Sequence, residues 1–197
     1  MNIIIKYFFI ILIFTKPSFS LDLKGDFQQG GLIIGKTNPI FEVFVQGEKV
    51  KINKEGFFIF GIPRDQIKDI VIKIQNKSDI NQIVKKVKKR KFKIQRINGL
   101  PKRKVSPNEE DMKRIREEGK LIVKAKNVNS DLSYFFKGFI RPANGITTGV
   151  FGSQRILNGK PRRPHFGIDI AAAKGTKVIN SNTGKVILAE KNLFFTG

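Results

Sequence analysis

Between Phe41 and Ile74 the chain is cut into short apolar runs by turn signals, and this cadence constrains the fold more than any other feature. Phe41-Glu-Val-Phe-Val45 is followed by Gln46-Gly47, and Val50-Lys-Ile52 by Lys54-Glu55-Gly56. Phe57 to Phe60 comes next, then Ile70 to Ile74, closed by Asn76-Lys77-Ser78. Runs of this length are too short for helices, and such spacing predicts a small β-sandwich or half-barrel. The β pattern extends from Gly30 to about Ile97, with Phe92 and Ile94 alternating against lysines near its end. A β-rich domain over 21–100 is expected.

The first twenty residues read differently. Lys6 stands as a basic start, Tyr7 to Phe14 is an unbroken apolar run, and Ser18 and Ser20 place small residues at −3 and −1 of a cut before Leu21. That is the pattern of a secretory signal peptide over 1–20. Eight helical residues reach about 12 Å, far short of the ~30 Å of a bilayer core. The expected location is therefore outside the cytoplasm, in the periplasm or cell envelope.

Composition narrows the chemistry. The 197 residues contain no Cys and one His, which excludes a disulfide framework, an iron–sulfur cluster, a cysteine nucleophile and any site drawing two histidines from these residues. The net charge is +22, which favours anionic partners. Residues 85–104 hold eleven Lys and Arg and no acid. Such a stripe suits an anionic cell-wall or membrane surface, or is simply a solvated strand face and linker. Phe92 is its one aromatic, too few for stacking bases, and with export this makes a nucleic-acid partner unexpected.

A basic linker and connector helix are expected over 101–137. Gly99-Leu-Pro101 and Ser106-Pro107 bracket the linker. Ser106-Pro107-Asn108-Glu109 fits a capping box with Ser106 as N-cap, Pro107 at N1 and Glu109 at N3. The helix is expected from 107 to about 125, with Met112, Ile115 and Ile122 on one face. From about 138 the glycines become regular and short apolar β runs follow, among them Val178-Ile179 and Val186-Ile-Leu-Ala189. A second β unit over 138–197 is expected.

His165-Phe-Gly-Ile-Asp169 is the candidate metal-ligand pair. Imidazole nitrogen and carboxylate oxygen are both zinc donors, at about 2.0–2.2 Å. Positions i and i+4 of a straight strand lie about 13 Å apart, whereas two ligands of one ion lie within about 4 Å. The segment must therefore bend, and Gly167 sits midway, where a bend costs least. Taken alone, the pair fits a hydrogen-bonded couple or plain surface as well as a metal site.

The wider series Phe151-Gly-Ser-Gln-Arg155, His165-Phe-Gly-Ile-Asp-Ile-Ala171, Gly175-Thr-Lys-Val178 and Gly184-Lys-Val186 resembles the lysostaphin/LytM-type zinc metalloendopeptidases, with Phe139-Ile-Arg-Pro142 as their entry strand. The resemblance covers about 138–197. Together with the N-terminal β domain and linker helix read above, it gives the expectation of a mainly β protein whose last part is an incomplete antiparallel β core of that type. It implies zinc as cofactor, His165 and Asp169 as ligands, peptidoglycan as partner and cleavage of its peptide cross-links. Arg155 is a weaker candidate for the substrate groove, an exposed strand-end arginine being its alternative. In the family a later H-x-H supplies the third ligand and the His that assists the catalytic water. The one His here is His165, so the 197 residues are expected to be an inactive fragment of such an enzyme. Two other readings stay open: a non-catalytic member that binds wall or regulates a hydrolase, and a secreted polyanion-binding protein.

Overall fold

The computed structural model describes residues 19–100 and 106–194; the signal-peptide segment lies almost wholly outside them. The chain is mainly β. Two antiparallel sheets are built from its first half. One has the order β1-β2-β5, from Leu21–Lys24, Leu32–Thr37 and Phe57–Gly61. The other has the order β4-β3-β6-β7, from Glu48–Val50, Glu42–Val45, Ile70–Gln75 and Ile80–Lys85. Ile33 and Phe58 of the first sheet and Val43, Ile70, Ile72 and Ile74 of the second share one buried cluster, so the sheets form a sandwich.

Alternation explains which side chains enter it. On β6, Ile70, Ile72 and Ile74 point inward while Val71, Lys73 and Gln75 point out, the period of two that a half-buried strand requires. On β2, Ile33, Gly35 and Thr37 are buried. Gly35 is opposite Phe58 in register, and a Cβ there would meet the Phe58 ring at 2.1 Å. The aromatic ring takes the volume that the glycine leaves. Buried Thr37 satisfies its hydroxyl by donating to the Ser20 carbonyl at 2.7 Å.

Three expectations shift. β4 covers Glu48–Val50 rather than 50–52. Gln46 and Gly47 have φ of 53° and 88°, the two-residue turn that matches strand twist, so pairing resumes at once with Val45 opposite Glu48. β1 was not foreseen, because four residues are too few to show a period. Helix α1 covers Glu109–Lys126, and its N-cap is Asn108, not Ser106. The Asn108 side-chain oxygen accepts from the Asp111 N–H at 2.7 Å. Asn and Ser cap about equally well, and this frame places Glu109, Glu110 and Asp111 in the first turn, where the helix dipole favours acids.

Beyond β7 the architecture is more open. β8 (Ile94–Ile97) pairs in parallel with β10 (Gln154–Leu157), which forms a hairpin with β11 (Lys160–Pro161). β9 (Ile146–Gly149) pairs antiparallel with β12 (Asp169–Ala171). The segment after 138 is thus stitched to the end of the N-terminal unit through β8. Arg64 also donates to the Gly152 carbonyl at 2.8 Å. The apolar runs at 178–179 and 186–189 are not strands in the structure. Ile179 N–H reaches the Pro142 carbonyl and Ile140 N–H the Ser181 carbonyl, a fragment of a ladder. No described strand lies beside 186–189 to continue it, and a strand exists only by its pairing.

The segment after α1 is clasped to the sandwich. Lys51 binds Asp131 at 2.7 Å and the Ser130 carbonyl at 2.8 Å. Asn53 donates to the Ser133 hydroxyl, and the Phe57 ring stacks on Phe136 at 4.6 Å between centroids. Phe136 belongs to a 3-10 turn over Tyr134–Lys137. No helix among the described residues is long and apolar enough to cross a membrane.

Candidate metal centre

His165 is held by its backbone. Its N–H donates to the Ser153 carbonyl at 2.8 Å, and its carbonyl accepts from the Gly152 N–H at 2.7 Å. The Phe166 ring meets Phe151 edge-on at 5.9 Å, and the Arg163 guanidinium lies 5.0 Å from the Phe166 centroid. These contacts fix the approach of the 163–166 segment to the site. Gly167 then makes a bend, as the ligand spacing requires. Its φ is not left-handed, and a Cβ there would only touch the His165 ring at 3.7 Å. The bend therefore does not depend on glycine's conformational freedom.

Asp169 opens β12 opposite Gly149 of β9, and the register slips between Asp169 and Ile170, whose partner is Thr147. The extra residue, Thr148, makes a bulge, a device that re-aims a side chain at the end of a strand. The Asp169 carboxylate lies against the bare α-carbon of Gly149, where a Cβ would meet Oδ2 at 2.4 Å. Gly149 is thus a positioning residue that sequence reasoning missed. It stands only as one of several regular glycines, and nothing local marks it as the floor of a carboxylate.

The two predicted ligands come together. His165 Nε2 is 3.3 Å from Asp169 Oδ1. The His165 side chain is 32 % exposed, yet its Nε2 is buried and has no hydrogen-bond partner among the described residues. An imidazole nitrogen carrying a lone pair and a carboxylate oxygen repel at that distance unless a proton or a metal cation sits between them. A tetrahedral ion with bonds of about 2.0–2.2 Å holds two of its ligand atoms about 3.3–3.6 Å apart. The orphaned nitrogen and the separation both fit a zinc ion. The donor set is partial: among the described residues no group of three His, Cys, Asp or Glu could hold a metal.

Arg155 lies exposed on β10, opposite Gln95 of β8, and its carbonyl accepts from the Arg162 N–H at 2.8 Å. No hydrogen bond or ion pair joins it to His165 or Asp169. Arg141 has the more structured role. Its guanidinium donates to the carbonyls of Ala143 and Gly145 and to the Thr147 hydroxyl, tying the loop before β9 to the strand that carries Gly149.

No family model matches the chain, and no curated protein matches it.

Proposed function

We propose that this chain is an exported zinc metalloendopeptidase of the lysostaphin/LytM type, acting on the peptide cross-links of peptidoglycan, and that the 197 residues carry two of its three zinc ligands. The observation that carries the reading is the buried His165 Nε2, without a hydrogen bond among the described residues, standing 3.3 Å from Asp169 Oδ1. The ordered motifs around it, from Phe139-Ile-Arg-Pro142 to Gly184-Lys-Val186, support it.

His165 and Asp169 would hold the metal. Zinc, when bound, supplies Lewis acidity: it acidifies a water and polarises the scissile carbonyl. The chain's own residues prepare the place. The Gly152 and Ser153 backbone orients the imidazole, the β9–β12 bulge aims the carboxylate, and Gly149 leaves it room. With His165 as the one His, the third ligand and the water-activating His lie outside these residues, and the 197-residue chain binds zinc weakly and turns over no substrate.

The test is release of peptide fragments from purified peptidoglycan by the natural gene product. The reading expects release that a chelator stops and that His165→Ala abolishes. Release that survives His165→Ala contradicts it, as does chelator-insensitive release by the 197-residue chain.

A further inference from the structure

The basic stripe has no part in the metal centre, yet the fold displays it in one fixed arrangement. Residues 85–96 contain eight Lys and Arg and no acid. Lys85, Lys86, Lys88, Lys89, Lys91 and Lys93 are all exposed, and among the described residues none of them makes an ion pair.

The segment that carries them is not loosely attached. Lys88 N–H donates to the Phe27 carbonyl at 2.8 Å, and the Lys88 carbonyl accepts from Gln29 N–H at 3.0 Å. Val87 N–H reaches the Asp69 carboxylate at 3.4 Å, and Arg90 N–H the Gln29 side chain at 3.0 Å. Phe92 is gripped by the Arg64 and Arg90 guanidiniums at 4.6 and 5.3 Å from its centroid, and it lies against Gly152. The backbone and the aromatic are therefore pinned while the ammonium groups stand free.

Apolar groups adjoin the charges. Ile80 and Val84 lie four residues apart on the outer face of edge strand β7, 72 % and 57 % exposed, and exposed Lys86 follows two residues after Val84, just past the strand end. A cluster of unpaired lysines beside exposed aliphatics is the composition that an anionic lipid surface selects. Nucleic acid would want free aromatics for stacking, and Phe92 is already engaged. A soluble acidic polymer would gain nothing from Ile80 and Val84.

We propose that the 85–93 segment with the outer face of β7 is a docking surface for an anionic phospholipid bilayer, holding the protein at the membrane independently of any catalytic role. The test is co-sedimentation of the full chain with phosphatidylcholine vesicles, with and without phosphatidylglycerol. The zwitterionic vesicles give the contribution of any apolar N-terminal residues the protein retains.

The expected result is salt-sensitive binding that needs phosphatidylglycerol. It should weaken about fivefold for each lysine neutralised in the combined variant Lys88→Gln, Lys89→Gln, Lys91→Gln and Lys93→Gln. The pair Ile80→Ser and Val84→Ser should weaken vesicle binding further but leave binding to soluble poly(glycerol phosphate) and duplex DNA unchanged. Should the lysine variant fail to melt like the parent, Lys85→Gln with Lys86→Gln serves instead. Equal binding to both vesicle types overturns the proposal. So does undiminished binding by the folded lysine variant, or vesicle binding indifferent to the Ile80 and Val84 pair, which would mark a surface for soluble polyanions.

Discussion

The Asp169 carboxylate has its position because residue 149 has no side chain. A Cβ at Gly149 would sit 2.4 Å from Asp169 Oδ2, closer than any van der Waals contact, so the carboxylate must swing away. Gly149→Ala is expected to weaken zinc binding by about tenfold, roughly 1.4 kcal/mol, while the thermal melt changes little. Gly167→Ala is the control: its Cβ would meet His165 at an ordinary 3.7 Å, and zinc binding should stay within about twofold. Titration calorimetry reads both. The approach of His165 and Asp169 was legible in the sequence, since the two are donor types at a spacing that a bend can close. Gly149 was not, because its role arises from the β9–β12 register, a contact across twenty residues that no local pattern encodes.

Among the elements, α1 shows how a competing cap defeats a motif. Ser106 and Glu109 satisfy the letter of a capping box, but Asn108 makes the bond. Asn108→Ala is expected to cost about 1 kcal/mol of stability, measured by chemical denaturation, and Ser106→Ala close to nothing. The clasp between Lys51 and the loop after α1 is pH-dependent. The Lys51 ammonium, by hydrogen bond and charge, holds the Asp131 carboxyl below its ordinary value of 3.8. A carboxyl lowered in the folded state stabilises above its unfolded pKa and loses that contribution as pH falls through the folded one. The clasp should therefore be at full strength at neutral pH and fade below about pH 4. Amide exchange in 128–136 is expected to quicken there, and in Lys51→Ala at neutral pH to be fast already. The strands of the first half were readable from alternation and turns. The runs at 178–179 and 186–189 have the same composition yet are not strands, because pairing decides a strand and no described strand lies beside 186–189.

At the scale of the molecule, the two halves are built on different terms. The sandwich has a sealed core with Phe58, Ile33, Ile72, Ile74 and Val43 fully buried. Ile72→Ala should destabilise it by about 2–5 kcal/mol, seen as a lower denaturation midpoint. The later segment leaves Val178 and Val186 73 % and 78 % exposed, and few backbone bonds hold it. Limited proteolysis should cut within 172–191 well before 21–97, since local opening is easiest where apolar contacts are fewest. Initial cuts within the sandwich would contradict this division. A mainly β chain was legible from composition and cadence alone. The parallel β8–β10 seam between the halves was not, because parallel partners are distant in sequence and share no turn.

The most direct test of the proposed metal centre uses the fact that His165 is the one His in the chain, so a single imidazole reports on the site. Nitrogen-15 resonances of that imidazole are followed while zinc is added. Nε2 is expected to shift saturably to a metal-bound position while Nδ1 moves less, and Asp169→Asn to weaken the response at least about tenfold, roughly 1.4 kcal/mol. An Nε2 resonance that stays unmoved through excess zinc, or moves equally with Asp169 replaced, would contradict it.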